Sequence, residues 1–230
     1  MKNKISIICS NYNSDRWVEE YFEYVNNQTL NNFDIIFIDV NSTDDSLNKI
    51  RSYNFRDGIR KIIIEYPQRI GVYKTWNVGI RAAETPYVMN YNTDDMLDEE
   101  ALEIYSKAIE ENPDTDIIYG PCGFVNSRNP KEFVGFGNWP EYSHEIMMQI
   151  CICGPFPLAK RESLIKAGYF DEDFISSGDY EMWARMSKQG FSFKRIPEVL
   201  GSFYFRNDSV HSENKDIAQQ EDAYIQQKYK

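Results

Sequence analysis

The 230-residue chain has no run of apolar residues near the roughly 20 that a helix needs to cross a bilayer, so no segment reads as a membrane span. A signal-peptide apolar region is missing too, because Met1-Lys2-Asn3-Lys4 leads directly into a short strand pattern. Both absences predict a cytoplasmic protein, one that meets a membrane only at its inner face. Basic charge is scarce: 25 Lys and Arg against 36 Asp and Glu leave a net charge of −11, without the basic face of a nucleic-acid binder. A nucleotide substrate stays open, since a bound metal ion reverses the local potential. Cysteine is sparse as well. Cys9 falls in an apolar strand pattern, Cys122 follows Gly120-Pro121, and Cys151 and Cys153 are spaced too tightly for a zinc knuckle, so reduced packing thiols are expected. Neither a P-loop signature nor Gly-x-Gly-x-x-Gly occurs, which argues against P-loop phosphotransferases and dinucleotide oxidoreductases.

What is present belongs to a folded chain: 42% hydrophobic and 15% aromatic residues exclude disorder, and the length suits one large domain. Strand and helix patterns alternate through the first half, predicting an α/β fold with a mostly parallel sheet. Strands are expected at Lys4 to Cys9, Phe33 to Val40, Arg60 to Glu65, Tyr87 to Tyr91 and Asp116 to Tyr119. Helices are expected at Arg16 to Gln28, Asp44 to Tyr53, Tyr73 to Ala83 and Asp98 to Glu111, the last with three acids in its first turn. From Gly120 to Pro157, Pro, Gly and aromatic residues crowd into what reads as irregular structure with short antiparallel pieces. Helices resume at Arg161 to Ala167 and Gly178 to Gln189, closed by Gly168 and Gly190, with a strand or two between Phe191 and Phe205. The polar stretch Ser212 to Lys230 reads as a surface helix or a frayed tail.

Asn92-Thr93-Asp94-Asp95 carries the most chemistry. It follows an apolar strand pattern, which puts two adjacent carboxylates at a strand's carboxyl end, where an open α/β sheet binds its ligand. Carboxylates this close repel unless a cation or a hydrogen-bond network holds them, and a hard divalent ion shared with a substrate diphosphate is the commonest use. A turn that merely caps Asp98 is the plain alternative. Asp39 ends the second strand ahead of Ser42, Asp44 and Asp45, which already suffice to cap the next helix, and this surplus favours a contact from Asp39 to a ring N–H of a base. Ser10, Asn11 and Asn13 leave the first strand and open a helix, lining the same pocket from the other side of the switch point. Asp179 opens an amphipathic helix, either as a dipole partner or as a general base.

In this order, these pieces resemble the family 2 glycosyltransferases of GT-A fold over roughly Ile5 to Ser209. Asp39-Val40-Asn41-Ser42-Thr43-Asp44 is similar to the family's Asp-Asp-Gly-Ser-Thr-Asp string, and Gly71 through Asn77, Gly79, Ile80 and Ala83 to its Gly-x-x-x-x-x-Asn-x-Gly-Ile-x-x-Ala segment. Asn92-Thr93-Asp94-Asp95 stands where Asp-x-Asp-Asp is common. Gly154-Pro155 through Leu164, Gly168-Tyr169-Phe170-Asp171-Glu172 and Gly178-Asp179-Tyr180-Glu181-Met182-Trp183 resemble the acceptor-side region and the helix start that bears the base.

The resemblance implies a GT-A type, Rossmann-like sheet with a smaller irregular or antiparallel acceptor-side region. It implies one domain over residues 1–211, split into a nucleotide-binding half at 1–119 and an acceptor-binding half at 120–211, with 212–230 as a polar helix or tail. The implied reaction is inverting transfer of a sugar from a nucleotide donor, most often a UDP-sugar, to a hydroxyl of a carbohydrate or lipid-linked saccharide. Asp39 would recognise the base, Asp94 the ribose or the metal, and Asp95 would hold Mn²⁺ or Mg²⁺ on the diphosphate. Asp179 would be the base. Ser10, Asn11, Asn13 and Asn77 would contribute to donor binding, Arg69 and Arg206 would meet phosphate, and His211 would be a further metal ligand. Asn92 departs from the usual first acid, and Tyr204-Phe205-Arg206-Asn207 departs from Tyr-Arg-x-His. A sugar nucleotidyltransferase and a degenerate, non-catalytic nucleotide-sugar-binding protein are the alternatives.

Overall fold

A computed structural model describes residues 3–128, 130–206 and 214–230. Its first four strands are β1 (Ile5–Asn11), β2 (Phe33–Val40), β3 (Ile59–Tyr66) and β4 (Tyr87–Asn90). All of β2 is buried, as a continuous apolar run in a sheet covered on both faces requires. Helices α1 (Asp15–Asn26), α2 (Ser46–Ser52) and α3 (Val72–Ala82) join these strands, so β1 pairs in parallel with both β2 and β4, and β2 with β3. The sheet continues with β6 (Ile117–Tyr119), β9 (Leu158–Lys160) and β10 (Phe193–Arg195), giving the order β10-β6-β9-β4-β1-β2-β3. Only β9 runs antiparallel to its neighbours, and its three residues show no periodicity by which the sequence could reveal it.

Alternate side chains of β1 separate two cores. Ile5, Ile7 and Cys9 face α1, α2 and α4 (Ala101–Glu111) through Phe22, Ile50 and Tyr105. Ile8 faces α3, α6 (Arg161–Ala167), α7 (Gly178–Lys188) and α8 (Lys215–Tyr229) with Ile80, Leu164, Trp183 and Ile225. Each fully buried aliphatic side chain contributes about 1.5–3 kcal/mol, so each helix is anchored by its apolar stripe. Ser212 to Lys230 is therefore more than a tail where it is described: Ala218, Ile225 and Tyr229 of α8 are buried.

A second sheet has the order β5-β11-β7-β8, formed by β5 (Met96–Leu97), β7 (Cys122–Arg128), β8 (Lys131–Gly137) and β11 (Gly201–Tyr204). The hairpin of β7 and β8 orders much of what reads as irregular sequence, ahead of the short helix α5 (His144–Met147). Because β5 pairs with β11 and the Asp98 N–H donates to Leu200, α4 begins at Ala101 rather than at Asp98. Asp98, Glu99 and Glu100 thus precede the helix instead of forming its first turn. Among the described residues, no helix is long and apolar enough to cross a membrane.

Candidate active site

The order β3-β2-β1-β4 reverses direction at β1, so the segments that leave β1, β2 and β4 meet at one edge of the sheet. The first two are joined by side chains. Buried Asn11 donates through Nδ2 to Asp39 Oδ1 at 2.6 Å, and also lies 3.1 Å from the hydroxyls of Ser42 and Ser46. The Ser42 N–H donates to Asp39 Oδ2 at 3.1 Å. Asn13 completes the seam: its N–H donates to Ser42 Oγ at 3.0 Å and its Oδ1 accepts the Thr43 N–H at 2.8 Å. Asn13 and Asn41 have positive φ, a conformation that Asn tolerates and that lets both chains turn sharply here. Arg69 lies over the ring of exposed Tyr12, 4.4 Å from its centroid, and so reaches the same loop from β3's end of the sheet.

The acidic stretch joins them through Asn92, whose Oδ1 is 3.4 Å from the Ser10 N–H. The turn is braced from below by Tyr91, whose hydroxyl donates to the Asp95 carbonyl at 3.2 Å and accepts the Leu97 N–H at 3.1 Å. Asp94 is clasped by Arg206, at 2.9 Å from Nε and 2.7 Å from a terminal nitrogen. Asp95, only 8% exposed, accepts the Tyr204 N–H at 3.2 Å. Burial, and after it the neighbouring Asp94 charge, push the Asp95 carboxyl well above the usual range, against the pull of Tyr204 N–H, Arg128 and Arg206. A buried carboxyl whose ionisation is disfavoured this way is what a cation would relieve.

Arg128 joins the site without any mark in the sequence. It is buried at the end of β7, donates to the Asp94 carbonyl at 2.9 Å, pairs with Glu20 at 2.9 Å and lies over Trp17. It holds the acidic turn by its backbone, and a lone arginine in a strand pattern carries no signal of that contact.

Asp179 lies in the first turn of α7. Gly178 packs against Tyr73 in the first turn of α3, so closely that a Cβ there would come within 2.7 Å of the ring. Asp179 accepts the N–H of Tyr180 at 2.9 Å. Its charge, after burial, helps push the Cys151 thiol well above its ordinary value. All four cysteines are free, and Cys9, Cys122 and Cys153 are buried.

Asn77 does not join this cluster. Its amide donates to the Phe170 carbonyl at 2.9 Å and to Glu172 at 3.0 Å, and its oxygen accepts the Phe170 N–H at 2.9 Å. It borders instead a cleft of about 420 Å³ lined by Arg81, Tyr169 and Lys228. His211 lies outside the described residues. Among the described residues, no three His, Cys, Asp or Glu side chains converge as a ready-made metal centre. Phe124 packs on Trp139 and Phe205, and Tyr142 stacks on Phe193, whereas Phe136 is exposed.

The sequence model of glycosyl transferase family 2 matches residues 6–165 of this chain. The chain is 24% identical to chondroitin synthase of Escherichia coli over 93% of its own length but only 30% of that protein's. It is 26% identical to an uncharacterized glycosyltransferase of Methanocaldococcus jannaschii, covering 90% of this chain and 72% of that one. TarS of S. aureus, solved in complex with UDP-GlcNAc, shares the fold with a TM-score of 0.78 and 19% identity, over 96% of this chain and 66% of that one. A mannosyltransferase of Pyrobaculum calidifontis, solved with GDP-Man and Mn²⁺, shares it with a TM-score of 0.72 and 16% identity, over 95% and 62%.

Proposed function

Because this chain belongs to glycosyl transferase family 2, we propose that it moves a sugar from a nucleotide donor, a UDP-sugar, to a hydroxyl of a carbohydrate or lipid-linked saccharide, with inversion. The observation that carries this reading is the buried Asp95 carboxyl next to Asp94, set beside the Asn11–Asp39 seam at the carboxyl edge of the sheet. In this reading residues 1–119 bind the nucleotide, with Ser10, Asn11, Asn13 and Asp39 around the base, and residues 120–211 bind the acceptor. Asp39 already takes one N–H on each oxygen, and its remaining lone pairs suit a base N–H.

Asp95 fits a divalent ion such as Mn²⁺ or Mg²⁺ as a buried carboxyl that needs charge compensation, and Asp94 would join it by exchanging its Arg206 partner for the ion, with the donor's phosphate oxygens completing the shell. Such an ion would supply compensation for the charge that develops on the departing diphosphate. Arg206, now paired with Asp94, and Arg69, now over Tyr12, would turn to the same phosphates. Asp179 takes the proton of the acceptor hydroxyl as its oxygen attacks the anomeric carbon, and the bond from that carbon to the diphosphate oxygen breaks on the opposite side. A positioned base of this kind is worth a factor of about 10²–10⁴ in rate. Asn77 acts indirectly, by tying α3 to the segment Phe170–Glu172. In this reading the protein works in the cytoplasm and meets a lipid-linked acceptor at the membrane surface.

The ion pair of Arg206 with Asp94 favours a second reading, in which the guanidinium supplies the positive charge and the donor binds without metal. Calorimetric titration with UDP, with and without Mn²⁺, separates the two. The first reading expects binding that needs the ion and falls at least tenfold in Asp95→Asn. Asp179→Asn should bind UDP as the parent does and lose transfer. Equal loss of UDP affinity in both variants would sink the division of roles.

A further inference from the structure

Helix α7 starts without a cap of its own. Its N-cap residue, Ser177, makes no side-chain capping hydrogen bond, and its hydroxyl points to the Ala218 carbonyl 3.4 Å away. The N–H groups of Ile175, Ser176 and Ser177 donate instead to Glu221 of α8, at 2.8, 3.0 and 2.7 Å. Both carboxylate oxygens take part, and an anion at a helix N-terminus is also favoured by the helix dipole.

Helix α8 is itself held firmly. Beyond its buried Ala218, Ile225 and Tyr229, the Tyr229 hydroxyl donates to Glu181, in the body of α7. The Tyr229 carbonyl lies 3.1 Å from His144 Nε2, and Lys188 Nζ donates to the Lys230 carbonyl at 2.6 Å. A local Ser or Asp cap would have stabilised the helix start equally well. A carboxylate reaching across from a separately anchored helix does something more, because it fixes the position of that start relative to the rest of the molecule.

We propose that Glu221 is the positioning residue for Asp179: by gripping the turn that launches α7, it sets where the Asp179 carboxylate stands against the acceptor hydroxyl. This rests on the reading of Asp179 as the base. A displacement of roughly 1 Å at such a group costs about 10²-fold in rate, without changing how tightly the donor binds.

The test follows UDP release from UDP-N-acetylglucosamine with Mn²⁺, UDP affinity by calorimetry, and amide hydrogen exchange of the protein alone. Glu221→Ala should lower kcat by about tenfold or more, leave donor KM and UDP affinity within about twofold, and speed exchange at Ile175, Ser176 and Ser177. Glu221→Gln keeps one acceptor oxygen and should recover part of kcat. Ile225→Val loosens the same helix without touching those amides and should keep the parent kcat. Unchanged exchange at the three amides overturns the proposal, and this readout needs no turnover. Equal loss of kcat in Ile225→Val and Glu221→Ala overturns it in favour of plain stability. Asp179→Asn distinguishes the two readings: full turnover there removes the base assignment, whereas an inactive Asp179→Asn beside a fully active Glu221→Ala removes only the role of Glu221.

Discussion

Asp95 is kept in the fold at a cost. Its carboxyl is buried next to Asp94, and an acid whose pKa is raised on folding adds stability only below its unfolded value of 3.8, losing it as pH rises through the folded value. At neutral pH the residue is therefore a liability for the protein alone, and Asp95→Asn should melt higher than the parent at pH 7 while its Mn²⁺-dependent UDP binding disappears. A lower melting temperature in that variant would mean that the carboxylate is structural. Much of the site's acidity is legible in sequence because it is local: adjacent acids after an apolar run must repel, whatever the rest of the chain does. Asn77 shows the limit. Its motif neighbours suggest a donor contact, but its amide is committed to Phe170, 93 residues away, and no local pattern contains that pairing.

At the scale of elements, the approach of α3 to the sheet turns on one glycine. A Cβ on Gly79 would lie 2.4 Å from Cγ2 of Ile8, in the middle of the strand whose end carries Ser10 and Asn11. A Cβ on Gly71, at the N-terminus of the same helix, would meet nothing within 4 Å. Gly79→Ala should therefore cost about 1–3 kcal/mol by overpacking, and Gly71→Ala should stay within about 0.5 kcal/mol, as read from urea midpoints. Similar costs at the two positions would mean that α3 can shift to make room. The helices and parallel strands of the first half are readable because their periods are clean and their lengths are ordinary. The start of α4 is displaced by the pairing of Met96–Leu97 with β11, and the β7–β8 hairpin hides among glycines and aromatics that also suit loops. Long-range pairing overrides local preference where β5 meets β11, whereas the hairpin is one of the short antiparallel pieces expected in its stretch, with bounds that its composition does not mark.

Across the whole molecule, the second half of the chain returns to complete what the first half begins: Tyr204 and Arg206 reach the acidic turn, and Glu221 reaches α7. Such returns are invisible to a reading that moves along the sequence window by window. A similar return closes the far edge of the large sheet, where Asp116 binds three donors: the Ser163 hydroxyl at 2.6 Å, the Ser192 N–H at 2.8 Å and the Ser192 hydroxyl at 2.8 Å. Burial works to raise the Asp116 pKa, and these donors outweigh it and hold the carboxyl below its ordinary 3.8. A depressed carboxylate contributes its stability above the unfolded value and loses it as pH falls through the folded one. Asp116→Asn should thus cost about 1 kcal/mol at pH 7, a modest figure because solvent reaches the group. The difference from the parent should shrink as both are taken below pH 3.8. Urea unfolding at pH 7 and again in acid measures it, and a gap that stays constant between the two would show that Asp116 acts by shape and not by charge.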